Sequence, residues 1–156
     1  MFELEIPGFG LIVLEHLVTD FTGTLSVDGK LIPGVKERLN KISEFLKIHV
    51  LTADTFGKAK EELSGVNCKI HILQGKDQDL QKEKFVKTLG ADKVIAFGNG
   101  NNDKNMLKVA RIGVAVLLEE GCSVEALSSA DILVKSILDG LDLLLNPLKL
   151  KATLRS

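Results

Sequence analysis

Short apolar runs of strand length alternate along this chain with stretches whose apolar positions recur every three or four residues. Phe2–Ile6 alternates apolar with acidic residues and predicts a strand with one wet face. Pro7-Gly8-Phe9-Gly10 is a turn signal and Leu11–Leu14 resumes a strand-like run, so an N-terminal hairpin is the simplest reading. Leu17-Val18-Thr19 then runs as a buried strand into Asp20, either continuous with the hairpin's second strand or separated from it at Glu15-His16. Pro33-Gly34 opens a helix over Val35–Leu46, with Val35, Leu39, Ile42, Phe45 and Leu46 on one face and Lys36, Glu37, Arg38 and Lys41 on the other. Further strands are predicted at Ile48–Leu51, Cys68–Leu73 (near an edge), Lys93–Phe97, Ile112–Leu117 and Ile132–Val134. Helices are predicted at Phe56–Leu63, Asp79–Leu89 (stopped by Gly90), Asn102–Ala110, Val124–Ser129 and Ile137–Leu145, the last ended by Asn146-Pro147.

Buried strands alternating with amphipathic helices predict an α/β fold, a Rossmann-like parallel sheet flanked by helices on both faces. At 156 residues the chain suits one domain, spanning 1–156, with a core that needs no staples. A composition of 45% hydrophobic and 26% charged residues is that of an ordinary globular protein, and a formal charge of −1 gives no support to a nucleic-acid or membrane-surface role. No apolar run is long enough to span a bilayer. MFELEIPGFG has acids and a turn where a signal peptide has a basic stretch and an apolar one, so the expected location is the cytoplasm. Cys68 and Cys122 form no C-x-x-C pair and are read as reduced structural thiols.

In parallel sheets, ligands bind beyond the carboxyl ends of the strands. Four polar groups fall there or on a following helix: Asp20-Phe21-Thr22-Gly23-Thr24, Thr52, Lys82 and Gly98-Asn99-Gly100-Asn101-Asn102-Asp103. A carboxylate at Asp20 can attack phosphorus with one oxygen and hold a metal with the other, while Gly23 lets amides near Phe21 and Thr22 face phosphate oxygens. Taken alone, Asp20 reads equally as a turn aspartate capping a loop. Thr52 can hydrogen-bond a phosphate oxygen, although a β-branched residue ending a strand is ordinarily structural. Asp54, two residues on, reads as a cap or a surface carboxylate. An ammonium at Lys82 would offset the charge on carboxylate and phosphate; Lys84 and Lys76 are alternatives, and a charged helix start is ordinarily just solvated. Asn99 and Asp103 offer oxygens of the kind Mg²⁺ takes, on a loop that otherwise reads as an Asn/Gly turn.

Together these segments resemble the haloacid dehalogenase superfamily, and more narrowly the phosphorylation domain of P-type ATPases as a free protein. DFTGTLS is similar to the pumps' DKTGTLT, LTAD to their TGD segment, GNGNNDKNML to their GDGxND motif, and Ser129–Val134 to the SADIVL run that follows it. The resemblance covers roughly Leu17 to Arg155. It implies that Asp20 becomes an aspartyl-phosphate and that Asp20, Thr22 (through its carbonyl), Asn99 and Asp103 hold Mg²⁺. It also implies that Thr52, Phe21 and Lys82 bind phosphate. Two positions depart from the pattern. Asn99 stands where the family has an aspartate, which lowers the negative charge and weakens metal binding. Thr22 stands where ordinary phosphatases have an acid–base aspartate, worth about 10²–10⁴-fold, so turnover is expected to be slow.

Asp20 and Thr52 are separated by 31 residues and Thr52 and Lys82 by 29, filled by core elements, which leaves no room for a cap domain. A capless site is open, and takes either a large substrate or closure by another subunit. The hairpin and the tail Leu148–Leu154 are candidate surfaces for homo-oligomer assembly, with packing on their own domain as the plainer use. The leading expectation is an Mg²⁺-dependent phosphatase acting on a phosphorylated small molecule or phosphoprotein. The alternative is a non-catalytic module that binds Mg²⁺ or phosphate. A response-regulator receiver is the weakest reading, because it needs an acidic pair near the first strand where only Glu15 and Asp20 are available, and it leaves DxTGT unexplained.

Overall fold

The computed structural model of the protein describes residues 1–53 and 57–156, so Asp54 and the predicted helix start at Phe56 lie outside the described residues. β1 (Phe2–Ile6) and β2 (Gly10–Leu14) form the predicted antiparallel hairpin, with Phe2 opposite Leu14. β3 (His16–Asp20) is a separate strand. With β6 (Lys47–Thr52), β7 (Lys69–Ile72), β8 (Val94–Gly98), β9 (Ile112–Val116) and β10 (Ile132–Val134) it builds a parallel sheet in the order β10-β9-β8-β3-β6-β7. β4 (Ser26–Val27) and β5 (Lys30–Leu31) form a small hairpin after β3.

Alternation along the central strands divides the interior in two, as a pleated sheet covered on both sides requires. Leu17, Ile48, Val50, Ile95 and Phe97 face one core, shared with the helices α1 (Val35–Ile42), α2 (Lys58–Glu62) and α6 (Ile137–Leu145) and with the N-terminal hairpin. Val18, Leu51, Val94 and Ala96 face the other, against α3 (Gln78–Leu89), α4 (Lys104–Val109) and α5 (Val124–Ser129). Helices as short as α4 and α5 do not form in isolation, so burial of Met106, Leu107 and Ala126 is what holds them. α7 (Pro147–Leu154) packs on β1 and α6 through Leu150, while Leu148 stays exposed.

Several boundaries differ from the sequence expectation. The helix expected to reach Leu46 stops at Ile42, and a turn closed by Phe45 N–H and Leu46 N–H on the Ile42 carbonyl carries the apolar spacing onward. The hairpin β4–β5 was not foreseen, although Asp28-Gly29 at its tip, with φ of 52° and 79°, is a recognised turn pair. The segment from β3 to β6 holds this hairpin and α1; from β6 to α3, the described residues hold α2 and β7. Among the described residues, no helix is long and apolar enough to cross a membrane.

All three histidines lie in a row on the second face. His16 Nδ1 sits 3.2 Å from His49 Nε2, and His49 Nδ1 lies 3.3 Å from His71 Nε2, with Phe85 of α3 over the last two rings. Burial, with the positive charge of the flanking histidines and of Lys69 and Lys47, pushes the central His49 down to about 4. A folded pKa below the unfolded value means that the unfolded chain takes up a proton the native state refuses. The contribution of His49 to stability is therefore complete above about pH 6.5 and is lost as pH drops from there toward 4. Urea unfolding of wild type against His49→Gln across that range should show the difference between them shrink as pH falls.

Candidate active site

β3 pairs with β6 on one side and β8 on the other, so Asp20, its last residue, emerges at the middle of the sheet's carboxyl edge. Asp20 shares the parity of Val18 and faces α3. There Lys82 belongs to the apolar stripe that includes Phe85, Val86 and Leu89, and its stem is buried at 1% exposure. Its Nζ donates to Asp20 Oδ1 at 3.2 Å and to Asp103 Oδ1 at 2.7 Å. Lys84 and Lys76 are exposed, and neither makes an ion pair among the described residues.

Asp103 folds under its own loop. Its Oδ2 accepts from the backbone amides of Asn99 and Gly100, both at 3.0 Å, so its two oxygens are held by one ammonium and two N–H groups. The close approach requires Gly98, where a Cβ would lie 2.5 Å from Asp103 Cγ. Asn99 is held by its own amide: Nδ2 donates to the Gly121 carbonyl at 3.3 Å, which turns Oδ1 inward. The Thr24 hydroxyl, fully buried, spans the gap between Asn99 Oδ1 at 3.4 Å and Asp20 Oδ2 at 3.5 Å. Phe21 O accepts the amides of Thr24, Leu25 and Ser26, winding the loop after Asp20 into a tight turn around the buried Phe21 ring.

A cleft of about 500 Å³ opens above these groups, lined by Asp20, Phe21, Thr22, Thr52, Lys82 and Asn99. Asp103 lies beneath it, fully buried, and reaches it only through Lys82 and the loop amides. Thr22 is exposed on the cleft and Thr52 is buried at its wall. Sequence reasoning gave no role to Thr24, although it lies within DFTGTLS, nor to Lys58, Gln78, Asn102 and Glu120, which also line the cleft. Thr24 could have been picked out as the second hydroxyl of that motif. Asn102 likewise lies within the GNGNND segment, whereas Lys58, Gln78 and Glu120 carry no local signal.

Burial, and then the charge of Asp103, raise the Asp20 carboxyl to about 7 against the pull of Lys82. Burial lowers Lys82, but Asp20 and Asp103 outweigh it and leave its pKa above the ordinary lysine value. Two carboxylates thus share one ammonium, and Asp20 is the one whose ionised form is left under-compensated. No group of three His, Cys, Asp or Glu among the described residues is spaced as a complete metal cage. Asp20 Oδ2 and Asn99 Oδ1 instead form an all-oxygen pair on either side of one hydroxyl, open to the cleft. Hard oxygen donors few enough to leave room for water and phosphate fit Mg²⁺, as does the unbalanced charge.

Residues 76–136, which include Lys82, Asn99 and Asp103, match the family of haloacid dehalogenase-like hydrolases. An uncharacterized protein of Methanocaldococcus jannaschii is 49% identical over 87 residues, covering 56% of this chain and 84% of that protein. Among solved structures, the cobalt-bound deoxy-D-mannose-octulosonate 8-phosphate phosphatase of Haemophilus influenzae is similar with a TM-score of 0.69 at 11% identity, covering 92% of this chain and 94% of that one. The 3-deoxy-D-manno-octulosonate 8-phosphate phosphatase of Moraxella catarrhalis, in complex with magnesium, phosphate and the sugar acid, is similar with a TM-score of 0.62 at 20% identity, covering 85% and 86%. At such identities the likeness to these two is one of fold. With the matched segment holding three of the converging groups and the sheet order placing Asp20 beside them, the chain belongs to the haloacid dehalogenase-like hydrolase family.

Proposed function

We propose that the protein is a slow, Mg²⁺-dependent phosphohydrolase that passes the phosphoryl group through a covalent aspartyl-phosphate on Asp20. The observation that supports this best is the single ammonium of Lys82 held between Asp20 and Asp103, beneath a cleft that Asp20 enters from the strand end. An Asp20 oxygen attacks phosphorus in line, the ester P–O bond breaks, and the leaving oxygen takes a proton from solvent, because Thr22 has no acid to give. Water then attacks the acyl phosphate, returning the Asp20 carboxylate and releasing phosphate. Lys82 balances charge on the equatorial oxygens, Thr52 and the amides after Asp20 orient them, and Thr24 keeps the Asp20 and Asn99 oxygens turned toward each other. When bound, Mg²⁺ supplies charge neutralisation of the transferring group; Asp20 and Asn99, with the carbonyl of Thr22, would hold it, and Asp103 would position their loop.

The substrate class is a phosphorylated small molecule or phosphoprotein. The two solved relatives named above are phosphatases of a sugar-acid 8-phosphate, in keeping with the former. The proposed site is capless and belongs to one domain spanning the chain. Closure would then fall to the substrate or to a second copy of the chain.

Beryllofluoride with Mg²⁺ should label the wild-type protein once, on Asp20, as seen by ¹⁹F NMR, and chelation should release the label. The departures at Asn99 and Thr22 favour a second reading, a module that holds Mg²⁺ and phosphate without turnover. Metal binding without an adduct would select it.

A further inference from the structure

We infer that Glu120 supplies the carboxylate charge that Asn99 lacks, acting as a positioning residue for the divalent cation. The inference rests on the metal-dependent reading of the site and adds a residue to it. Glu120 lies some 20 residues beyond the Asn99 loop, in the turn Leu118–Gly121, which Gly121 N–H closes on the Leu118 carbonyl at 2.9 Å. Two bonds fix this turn to Asn99. The Asn99 side-chain amide donates to the Gly121 carbonyl at 3.3 Å, and Ser123 N–H donates to the Asn99 carbonyl at 2.8 Å.

The side chain of Glu120 leans back over the nucleophile loop. A Cβ placed on Gly23 would lie 2.8 Å from Glu120 Oε2 and 2.7 Å from Asn99 Nδ2, so carboxylate and amide crowd the same point of that loop. Gly23 has φ of 77° and offers no side chain to keep them away. Glu120 lines the cleft together with Asp20, Thr22 and Asn99. Among the described residues it has no hydrogen-bond or ion-pair partner.

An unpaired carboxylate at the mouth of a phosphate site repels the anion that must enter, unless a cation stands between them. Lys82 is already shared by Asp20 and Asp103 and lies on the α3 side of Asp20, whereas Glu120 is on the Asn99 side. Lys58, the cleft's other ammonium, lies against Gly29 and is not paired with Glu120, which leaves a bound cation to match the charge on that side. Mg²⁺ keeps several waters, and a carboxylate that accepts from one of them stabilises the ion without touching it. The negative charge that the Asn99 position gives up is returned from a different loop.

The test is divalent-ion affinity of the full chain without substrate, read as free Mn²⁺ by EPR and as Mg²⁺ by calorimetry. Glu120→Gln should weaken binding by about 10-fold or more, the size of effect outer-shell partners have. Asn99→Asp should tighten binding, and Asn99→Asp with Glu120→Gln should return it close to wild type. Glu119→Gln, in the same turn, should change affinity less than twofold. Wild-type affinity in Glu120→Gln, while Asp20→Asn loses the ion, would overturn the role of Glu120 and leave the metal site standing. A wild-type chain that binds no divalent ion would overturn both. Thermal unfolding of the metal-free variants separates folding loss from affinity loss, since a charge role leaves that midpoint in place.

Discussion

Asp20→Asn should lower the rate of phosphate release from an aryl phosphate by about 10⁴-fold or more, the scale seen when a covalent nucleophile is removed. The amide keeps the shape of the carboxylate, so the sheet edge and the Lys82 contact site stay in place. The variant should also fail to take up beryllofluoride. Its stability should not fall. Burial and the Asp103 charge raise Asp20 to about 7, so the ionised carboxylate is a group the fold tolerates at a cost. The native state keeps a proton the unfolded chain has released, and this side chain's contribution to stability declines as pH rises from about 4 toward 7. An amide escapes that decline. A variant that released phosphate at the wild-type rate would end the aspartyl-phosphate mechanism.

Lys82→Met should be the most destabilising single change in the site. The thioether chain fills the space of the lysine stem, but Asp103, fully buried, and Asp20 are left facing each other without a cation. Breaking a buried pair by removing one partner costs about 3–5 kcal/mol. Urea unfolding should show a loss of that size at neutral pH, little affected by salt because the groups are out of solvent. Lys82→Met with Asp103→Asn should recover part of it by removing one of the stranded charges. Lys84→Met, exposed on the same helix, should stay within about 0.5 kcal/mol. Equal stability of Lys82→Met and wild type would mean that the ammonium is not what holds the carboxylates together. Activity should be lost in the same variant, since nothing else near Asp20 on the α3 side carries positive charge among the described residues.

Where burial and hydrogen bonding agree, the elements are plain in the residues. Val124–Ser129, Ile132–Val134 and Ile137–Leu145 fall where the pattern puts them, because Ser123 and Ser136 cap the two helices through their hydroxyls and apolar stripes follow directly. The helix from Val35 shows the opposite case. Apolar spacing tracks burial, and Leu46 is buried from a turn as well as it would be from a helix. The two-residue strands β4 and β5 are too short for any periodicity to register. In the site, Asp20, Lys82 and Asp103 are legible because each sits in a motif or on an apolar helical face. Thr24 was in view but had no assigned partner until Asn99 arrived from 75 residues away. Glu120 was out of reach for the same reason: its neighbour Gly23 is distant in the chain, and only the fold brings them together.

The strand that ends at Asp20 is bonded along both edges, whereas Lys58 reaches the same cleft from the first turn of a short helix. Under the proposed mechanism, chemistry and selectivity would thereby be carried by different parts of the molecule. Sequence drift could then rework the wall of that cleft without loosening Asp20. A scaffold partitioned in this way can diversify in what it recognises while inheriting its reaction unchanged.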